Sequence, residues 1–410
     1  MKKFFIYTLG CKVNNCDSDE ISNILLSYGF ILSDAEKADI IIINSCAVTC
    51  ESVRKTRQSI NKFKKINQNC FLILTGCAVI LEEFLYNKNK NINLICNKKK
   101  IINKIKENFD IYAKNKEINF INNFINNNKR TRAFIKIEDG CENFCSYCII
   151  PFVRGKIKSK NLDEIDFECR KFSELGFKEF VLTGINLGKY GQDLNLNLID
   201  AIKIIRKYCK RIRLSSLEPD ILNKKIIDNL FLFEEICPNF HLSLQSGSDR
   251  ILKLMNRKYN INFYLELINY IKNKFKNATF STDIIIGYPG ETDEDFEKTL
   301  EIIKKVGFIK ANIFPFSPRP LTVAYNLKQI DFNLKKYRVK KALEYSELIS
   351  KKEISKFIGQ YFEVLFESKE NKENNNIFSG YSRNYIKIKY KSNQDIRGKI
   401  KKVIFLPELP

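Results

Sequence analysis

Tryptophan is absent from the sequence, histidine occurs once and methionine twice. The single histidine, His241, opens an apolar stretch and alternates with Leu242 and Leu244, the pattern of a satisfied core or rim residue rather than of a general base or a metal ligand. No segment approaches the roughly eighteen uninterrupted apolar residues of a spanning helix. The opening MKKFFIYTLGC lacks the long apolar stretch and small-residue site of a signal peptide. A cytoplasmic protein with no membrane partner is expected. Also missing is a pair of separated C-x2-C motifs, the usual frame of a structural zinc site.

What is abundant is positive charge. Lys and Arg number 70 against 47 Asp and Glu, a net +23, and phosphate-rich partners are the usual reason for such a potential. Heavy use of Lys, Asn and Ile is equally what an AT-rich genome would produce. The chain also has 13 cysteines, which in a reducing compartment read as metal ligands and buried thiols rather than as a disulfide framework. A length of 410 residues implies two or three domains.

The first third alternates short apolar runs (FFIYTLGC, ADIIIINSC, CFLILTGC, NINLIC) with helical patterns, which predicts βα units and an open parallel α/β sheet. Between the first two runs, Asp17 or Ser18 is expected to cap a helix ending at Gly29. Cys11, Cys46 and Cys77 each fall at the C-terminal end of a strand, the edge where open α/β sheets bind ligands. The three thiols are therefore expected to converge on a metal site, with Cys96, which ends the fourth run, as a competitor. Cys16, Cys50 and Cys70 lie off that edge and read as structural. Residues 116–130 are Asn-rich and read as a linker.

A second series starts at Arg132. Six strand candidates (RAFIKIEDG, EFVLTGINL, RIRLSSLEP, FHLSLQSG, TFSTDIIIGYPG, KANIFPFSP) with helical patterns between them predict a barrel or partial barrel whose post-strand loops build the active site. From about Lys356 the pattern changes to period two, the mark of a small antiparallel β-barrel or sandwich. In NYIKIKYK, Lys387, Lys389 and Lys391 share one face, which fits either a lysine-protected edge strand or, with Tyr381, Arg383 and Tyr385, a platform for single-stranded nucleic acid.

The run GCENFCSYCIIP places Cys141, Cys145 and Cys148 in a C-x3-C-x2-C spacing directly after the first strand of the second series. Short-spaced thiolates select zinc or iron–sulfur. Structural zinc closes with four protein ligands, whereas a cubane held by three cysteines leaves one iron with an exchangeable position.

That run, with Tyr147 before the third cysteine, resembles the radical S-adenosylmethionine (SAM) superfamily. TLGCKVNNCDSDE, NSCAVT, LTGCA, LSSLEP, LSLQSGSDRILKLMNRKY and DIIIGYPGET narrow the resemblance to methylthiotransferases, along nearly the whole chain. TLGCKVN and LSSLEP resemble the branch acting on N6-threonylcarbamoyladenosine beside the tRNA anticodon. Two departures stand out: GCAVI where the family has GC-x-A-Q after the third auxiliary cysteine, and Leu321 where it has Gly in SPRPLT.

The resemblance implies an N-terminal domain (1–115) carrying an auxiliary [4Fe-4S] cluster on Cys11, Cys46 and Cys77, and a central radical-SAM partial (βα)6 barrel (131–350) carrying a second cluster on Cys141, Cys145 and Cys148. A TRAM-like RNA-binding β domain (355–410) completes it. It also implies SAM as cofactor, the tRNA anticodon stem-loop as partner and a donor such as flavodoxin or ferredoxin. Tyr147, Gly184, Ser216 (with Ser215), Glu218, Gln245 and Asp283 are the expected SAM contacts, and Arg383, Lys387 and Lys389 the expected RNA contacts. Arg154, Arg250 and Arg257 are expected either to meet phosphates or to form surface pairs. An isopentenyladenosine or protein substrate stands as the alternative within the family. An electron-transfer protein and a zinc RNA-binding module stand as alternatives outside it.

Overall fold

The computed structural model describes residues 2–79, 92–95, 98–109, 130–372 and 375–406. Cys96 and all of the expected linker except Arg130 lie outside the described residues.

The first sheet contains β1 (Lys3–Thr8), β2 (Ile31–Leu32), β3 (Ile40–Ser45), β4 (Phe71–Gly76) and β5 (Asn93–Leu94), in the order β2-β1-β3-β4-β5, with every pair parallel. Helices α1 (Lys12–Ser27), α2 (Cys50–Ile66) and α3 (Lys98–Asn108) cover it. The isoleucine run of β3 explains the layering. Ile40 and Ile42 pack with Ile21 and Leu25 of α1 and with Ile101 and Ile105 of α3. Ile41 and Ile43 turn to the other face and meet Ile60 and Phe63 of α2. A β-branched strand buried on both faces belongs at the centre of a parallel sheet. The chain reverses direction across the sheet between β1 and β3, the crevice in which doubly wound sheets bind ligands.

One expectation fails here. Helix α1 starts at Lys12, straight after the strand, and neither Asp17 nor Ser18 caps it. Both are inside the helix and have other partners: Asp17 pairs with Lys136 at 2.5 Å and with Arg154 at 3.1 Å, and Ser18 accepts from Asn44 and Thr8. Those partners come from elsewhere in the chain, and local sequence does not reveal them.

The central region contains β6 (Ala133–Lys136), β7 (Glu138–Asp139), α4 (Ile150–Arg154), β8 (Lys158–Ser159), α5 (Leu162–Glu174), β9 (Phe180–Thr183), α6 (Leu198–Ile205), β10 (Ile212–Leu214), β11 (Ser216–Leu217) and α7 (Lys224–Phe231). It continues with β12 (Asn239–Leu242), α8 (Asp249–Leu254), α9 (Ile261–Lys274), β13 (Thr279–Ile286), α10 (Asp293–Val306), β14 (Lys310–Pro315) and α11 (Phe332–Ser355). Parallel ladders run β6-β9-β10 and β11-β12-β13-β14. Only Ser215 separates β10 from β11, so these are halves of one bent strand, and six strands follow one another in sequence order. Among the described residues no ladder joins β14 back to β6. The result is the expected partial (βα)6 barrel. A short antiparallel pairing of β7 with β8 closes the base of the loop that holds Cys141, Cys145 and Cys148.

The last sheet is antiparallel, in the order β17-β16-β15-β18, formed by β15 (Tyr361–Lys372), β16 (Asn375–Ser382), β17 (Lys387–Lys391) and β18 (Ile400–Ile404). A bulge between Phe366 and Ser368 bends β15, and the sheet curls into a half-barrel around Val364, Phe366, Phe378 and Ile388. It docks against the ends of the barrel strands opposite the cysteine loop. Arg211 donates to the carbonyls of Glu363 and Tyr381, Arg213 to those of Ser382 and Arg383, and Thr279 to that of Asn384.

Candidate iron–sulfur and SAM site

The first thiol set lies around the β1/β3 crevice. Cys11 and Cys46 follow the two strands that flank it and Cys77 follows β4. The three influence one another electrostatically. Burial pushes the Cys46 thiol up and that of Cys77 up to about 12. Gly10 makes this approach possible: at φ 111° a side-chain carbon there would stand 2.8 Å from the Cys46 Cβ.

The second set is organised by its own loop and by the β7/β8 clamp. The Cys141 amide donates to the Gly155 carbonyl and the Cys148 amide to that of Cys145, each at 3.0 Å. Cys141, Cys145 and Cys148 again influence one another, and burial raises all three, Cys148 to about 12. Gly140, immediately before Cys141, has φ 89°, and a Cβ there would collide with the backbone of Lys156. Gly140→Ala is therefore expected to distort the clamp and displace Cys141, at a cost of roughly 1–3 kcal/mol for the strained backbone alone. Iron bound per chain after anaerobic reconstitution checks this; a full iron complement in the variant would contradict it.

Two arginines tie sulfur to the rest of the fold. Arg154, six residues after Cys148, donates to the Cys77 sulfur at 3.2 Å, to Asn14 Oδ1 at 2.7 Å, and to Asp139 and Asp17. The loop that carries the second thiol set thus grips the first. Arg257 donates to the Cys145 sulfur at 3.3 Å, to the Tyr147 hydroxyl at 3.4 Å and to Glu218. N–H donors to ligating sulfur are one of the levers on cluster potential. Arg154 and Arg257 are accordingly sulfur and carboxylate partners, not phosphate ligands, while Arg250 pairs with Asp295.

Several expected SAM contacts have partners within the chain. Glu218 accepts from Arg257. Ser216 faces Ser243 at 3.1 Å. Gln245 has a left-handed φ of 66°, and its backbone bonds Asp283 and Ile285 of β13. Asp283 accepts from Asn312 at 2.8 Å and lies 3.2 Å from the Nε2 of His241, so the lone histidine is a satisfied barrel residue. Gly184 is glycine because the Glu138 carboxylate occupies the space beside it, with Oε2 2.6 Å from where a Cβ would stand. That Oε2 accepts the Asn186 amide at 2.7 Å, and burial pushes the Glu138 carboxyl up to about 7.

Glu138 and Asn186 escaped the sequence reading. Their available signal was position: Glu138 falls just after the first barrel strand and Asn186 in the turn after the second. Glu138 Oε1, Asn186 Oδ1 and Ser215 Oγ are buried without any partner, and Asn186 Nδ2 is directed at the Cys141 sulfur from 3.9 Å. Buried polar atoms left unbonded at the ligand-binding end of a barrel fit a polar cofactor that would satisfy them. Among the described residues no three His, Cys, Asp or Glu side chains gather closely enough for a single metal ion.

Two further assignments change. Cys50, read as structural, is exposed at the first position of α2; its amide donates to the Ser317 hydroxyl, and Arg319 donates to its sulfur. Arg383, expected on RNA, donates to the carbonyls of Lys210, Glu234 and Ile236. Tyr381 and Tyr385 stack on one another at 4.5 Å beneath Arg132 and Arg213. These three residues join the last sheet to the barrel. Lys387 and Lys389 remain on the exposed side of β17.

A model described as Radical SAM superfamily matches residues 135–303, and one described as Uncharacterized protein family UPF0004 matches residues 3–97. A relative from Bacillus subtilis named threonylcarbamoyladenosine tRNA methylthiotransferase MtaB is 32% identical, covering 98% of this chain and 93% of its own. One of the same name from Thermotoga maritima is 35% identical, covering 96% and 92%. A relative from Clostridium tetani named tRNA-2-methylthio-N(6)-dimethylallyladenosine synthase is 33% identical, covering 97% and 92%. Among solved structures, the radical SAM methyltransferase TsrM from Kitasatospora setae shares the fold, with a TM-score of 0.56 and 12% identity over 79% of this chain and 77% of that one.

Proposed function

Because the chain belongs to the radical SAM methylthiotransferase family, we propose that it converts N6-threonylcarbamoyladenosine at position 37 of tRNA to the 2-methylthio derivative. The observation that carries the reading is the pair of three-thiol sets joined by Arg154, which follows Cys148 and donates to Cys77. In this reading Cys141, Cys145 and Cys148 hold a [4Fe-4S] cluster with an open iron for SAM, and Cys11, Cys46 and Cys77 hold the auxiliary cluster. Bound there, SAM and the clusters supply the one-electron chemistry needed to replace a strong, non-acidic aromatic C–H bond.

The protein's own residues position and shield. Glu138 orders the 184–186 turn, and Asn186 and Ser215 offer polar atoms to the cofactor. Arg257 holds Tyr147 and Glu218 beside Cys145. Tyr147, Gly184, Ser216, Gln245 and Asp283 line the same end of the barrel. Lys387 and Lys389 present a basic face to the anticodon stem-loop.

The division into 1–115, 131–350 and 355–410, a cytoplasmic location, and a flavodoxin- or ferredoxin-like donor belong to the same proposal. No described helix is long and apolar enough to cross a membrane. The isopentenyladenosine reading is favoured by relatives such as that of Clostridium tetani, whereas TLGCKVN and LSSLEP favour threonylcarbamoyladenosine.

Mass spectrometry of tRNA nucleosides from cells lacking the protein decides between them. The methylthio form of threonylcarbamoyladenosine is expected to disappear; its persistence overturns the reading. Anaerobically purified protein is expected to carry about eight irons per chain, as two cubanes require.

A further inference from the structure

Three loops meet at the C-terminal end of the barrel strands. Residues 316–331 follow β14, the Cys141–Cys148 loop follows β6, and residues 46–49 follow β3 of the first sheet. Hydrogen bonds join them: Ala324 donates to the Ser146 carbonyl at 2.8 Å, the Cys50 amide to the Ser317 hydroxyl at 2.8 Å, and Arg319 to the Ala47 carbonyl at 3.4 Å. On these loops five large apolar side chains face water. Val48, Phe144, Leu321 and Tyr325 are each about half exposed, and Val323 is 70% exposed. Single exposed apolar residues are ordinary, but five on three joined loops at the rim of a candidate active site mark an interaction surface.

Two of the five also hold a strained backbone. Phe144 and Leu321 have left-handed φ values of 46° and 70°, a conformation that is costly for such side chains and concentrates at binding sites. Leu321 stands where the resembled family has glycine, so neither the turn nor the core accounts for its side chain. Helix α2 leaves the same junction. Its exposed face carries Arg54, Lys55, Arg57, Lys62 and Lys65 against the single carboxylate of Glu51, which pairs with Arg54 and Lys55. From Arg54 to Lys65 the helix rises about 16 Å, the length of several phosphates along a helical strand.

We propose that Leu321, Val323 and Tyr325, with Val48 and Phe144 beside them, form the surface on which unpaired bases of the tRNA anticodon loop stack, and that the basic face of α2 holds the neighbouring phosphates. The inference rests on the tRNA part of the proposed function. It adds a contact separate from Lys387 and Lys389, whose sheet docks at the other end of the barrel. Unpaired nucleotides present an apolar base face and a charged backbone, so they need both kinds of surface side by side. A base that is to reach the cysteine loops must pass this rim.

The test uses the full-length protein reconstituted with iron and sulfide, and two unmodified RNAs with the same number of phosphates. One is the anticodon stem-loop with 2-aminopurine beside the target adenosine; the other is a blunt duplex. Anisotropy at several salt concentrations gives affinity, and quenching of 2-aminopurine reports stacking. Tyr325→Ala is expected to weaken stem-loop binding by roughly tenfold, and its combination with Leu321→Gly by more, with 2-aminopurine fluorescence restored and duplex binding as in the wild type. Lys62→Ser combined with Lys65→Ser is expected to weaken both RNAs and to lower the slope of log K against log salt by about one to two. The Tm of Leu321→Gly is expected to equal or exceed that of the wild type, because glycine takes a φ of 70° without strain.

Unchanged stem-loop affinity and quenching in the double rim variant would leave the rim no role in RNA binding. Equal loss on stem-loop and duplex would make it a phosphate contact, and a lowered Tm in Leu321→Gly would make Leu321 part of the fold. Slower reduction by flavodoxin, with dithionite reduction and RNA binding intact, would assign the rim to an electron donor; a wild-type dimer split by the rim variants would assign it to a second copy of the chain. Each of these overturns the proposal. If the rim variants behave as expected while the wild-type protein leaves a threonylcarbamoyl stem-loop unmethylthiolated, the substrate reading fails and the rim stands.

Discussion

Cys148→Ala is expected to abolish reductive cleavage of SAM, by more than about 100-fold, while tRNA stem-loop affinity stays within a few-fold and bound iron falls to about half. The basis is the separation of the two thiol sets. Loss of groups that merely support metal ligands already costs about 10–100-fold in affinity or activity, and removing a ligand costs more. Cys148 lies in a loop whose shape is fixed by the β7/β8 clamp and by the bonds of Ser146 to Leu254 and Tyr288, so the alanine leaves the loop standing. Cys11, Cys46 and Cys77 are fixed by a different sheet and are expected to keep the iron proposed for them. Iron analysis, 5′-deoxyadenosine production and stem-loop anisotropy on the same preparation check it. Parallel loss of RNA binding would mean that the cluster loop is part of the RNA surface.

The strand-end cysteines were legible because a βα repeat announces its strands by apolar runs, and the residue after each run must fall on the same edge of the sheet. The half-barrel was legible from period-two alternation in the same way. Long-range polar partners were not. Arg154 and Arg257 look like phosphate ligands in one dimension, since nothing local marks Cys77, 77 residues upstream, or Glu218 as their acceptors. Arg383, Tyr381 and Tyr385 looked like an RNA platform because aromatic and basic residues together suit either stacked bases or a docked guanidinium. Only the docking of the last sheet against the barrel distinguishes the two. The orphaned oxygens of Glu138, Asn186 and Ser215 became visible only when burial could be compared with bonding, yet they bear most directly on a cofactor.

That docking hinges on one carboxylate. Glu179, just before β9, is almost wholly buried and accepts from Arg211 Nε at 2.9 Å and Arg213 Nε at 2.7 Å, with Arg132 at 3.9 Å. Arg211 and Arg213 in turn hold the carbonyls of the last sheet. Burial on its own would raise the Glu179 carboxyl; Arg213, Arg211 and Arg132 overcome it and bring the group down to about 2. Glu179→Gln keeps the shape but strands the guanidiniums, and breaking a buried pair in this way costs about 3–5 kcal/mol. For a region of this size that corresponds to a fall in Tm of about 6–20 °C at neutral pH. Because the folded pKa lies below the ordinary glutamate value of 4.5, the stabilisation is fully present above about 4.5 and fades as pH drops toward 2. The wild-type advantage over Glu179→Gln is therefore expected to shrink across that acid window in thermal unfolding. Limited proteolysis at pH 7 is expected to cut the variant first between Ser355 and Tyr361, where α11 hands over to the last sheet. A Tm difference that is constant from pH 7 to pH 3, or a variant as resistant as the wild type, would show that the guanidiniums hold the sheet without Glu179.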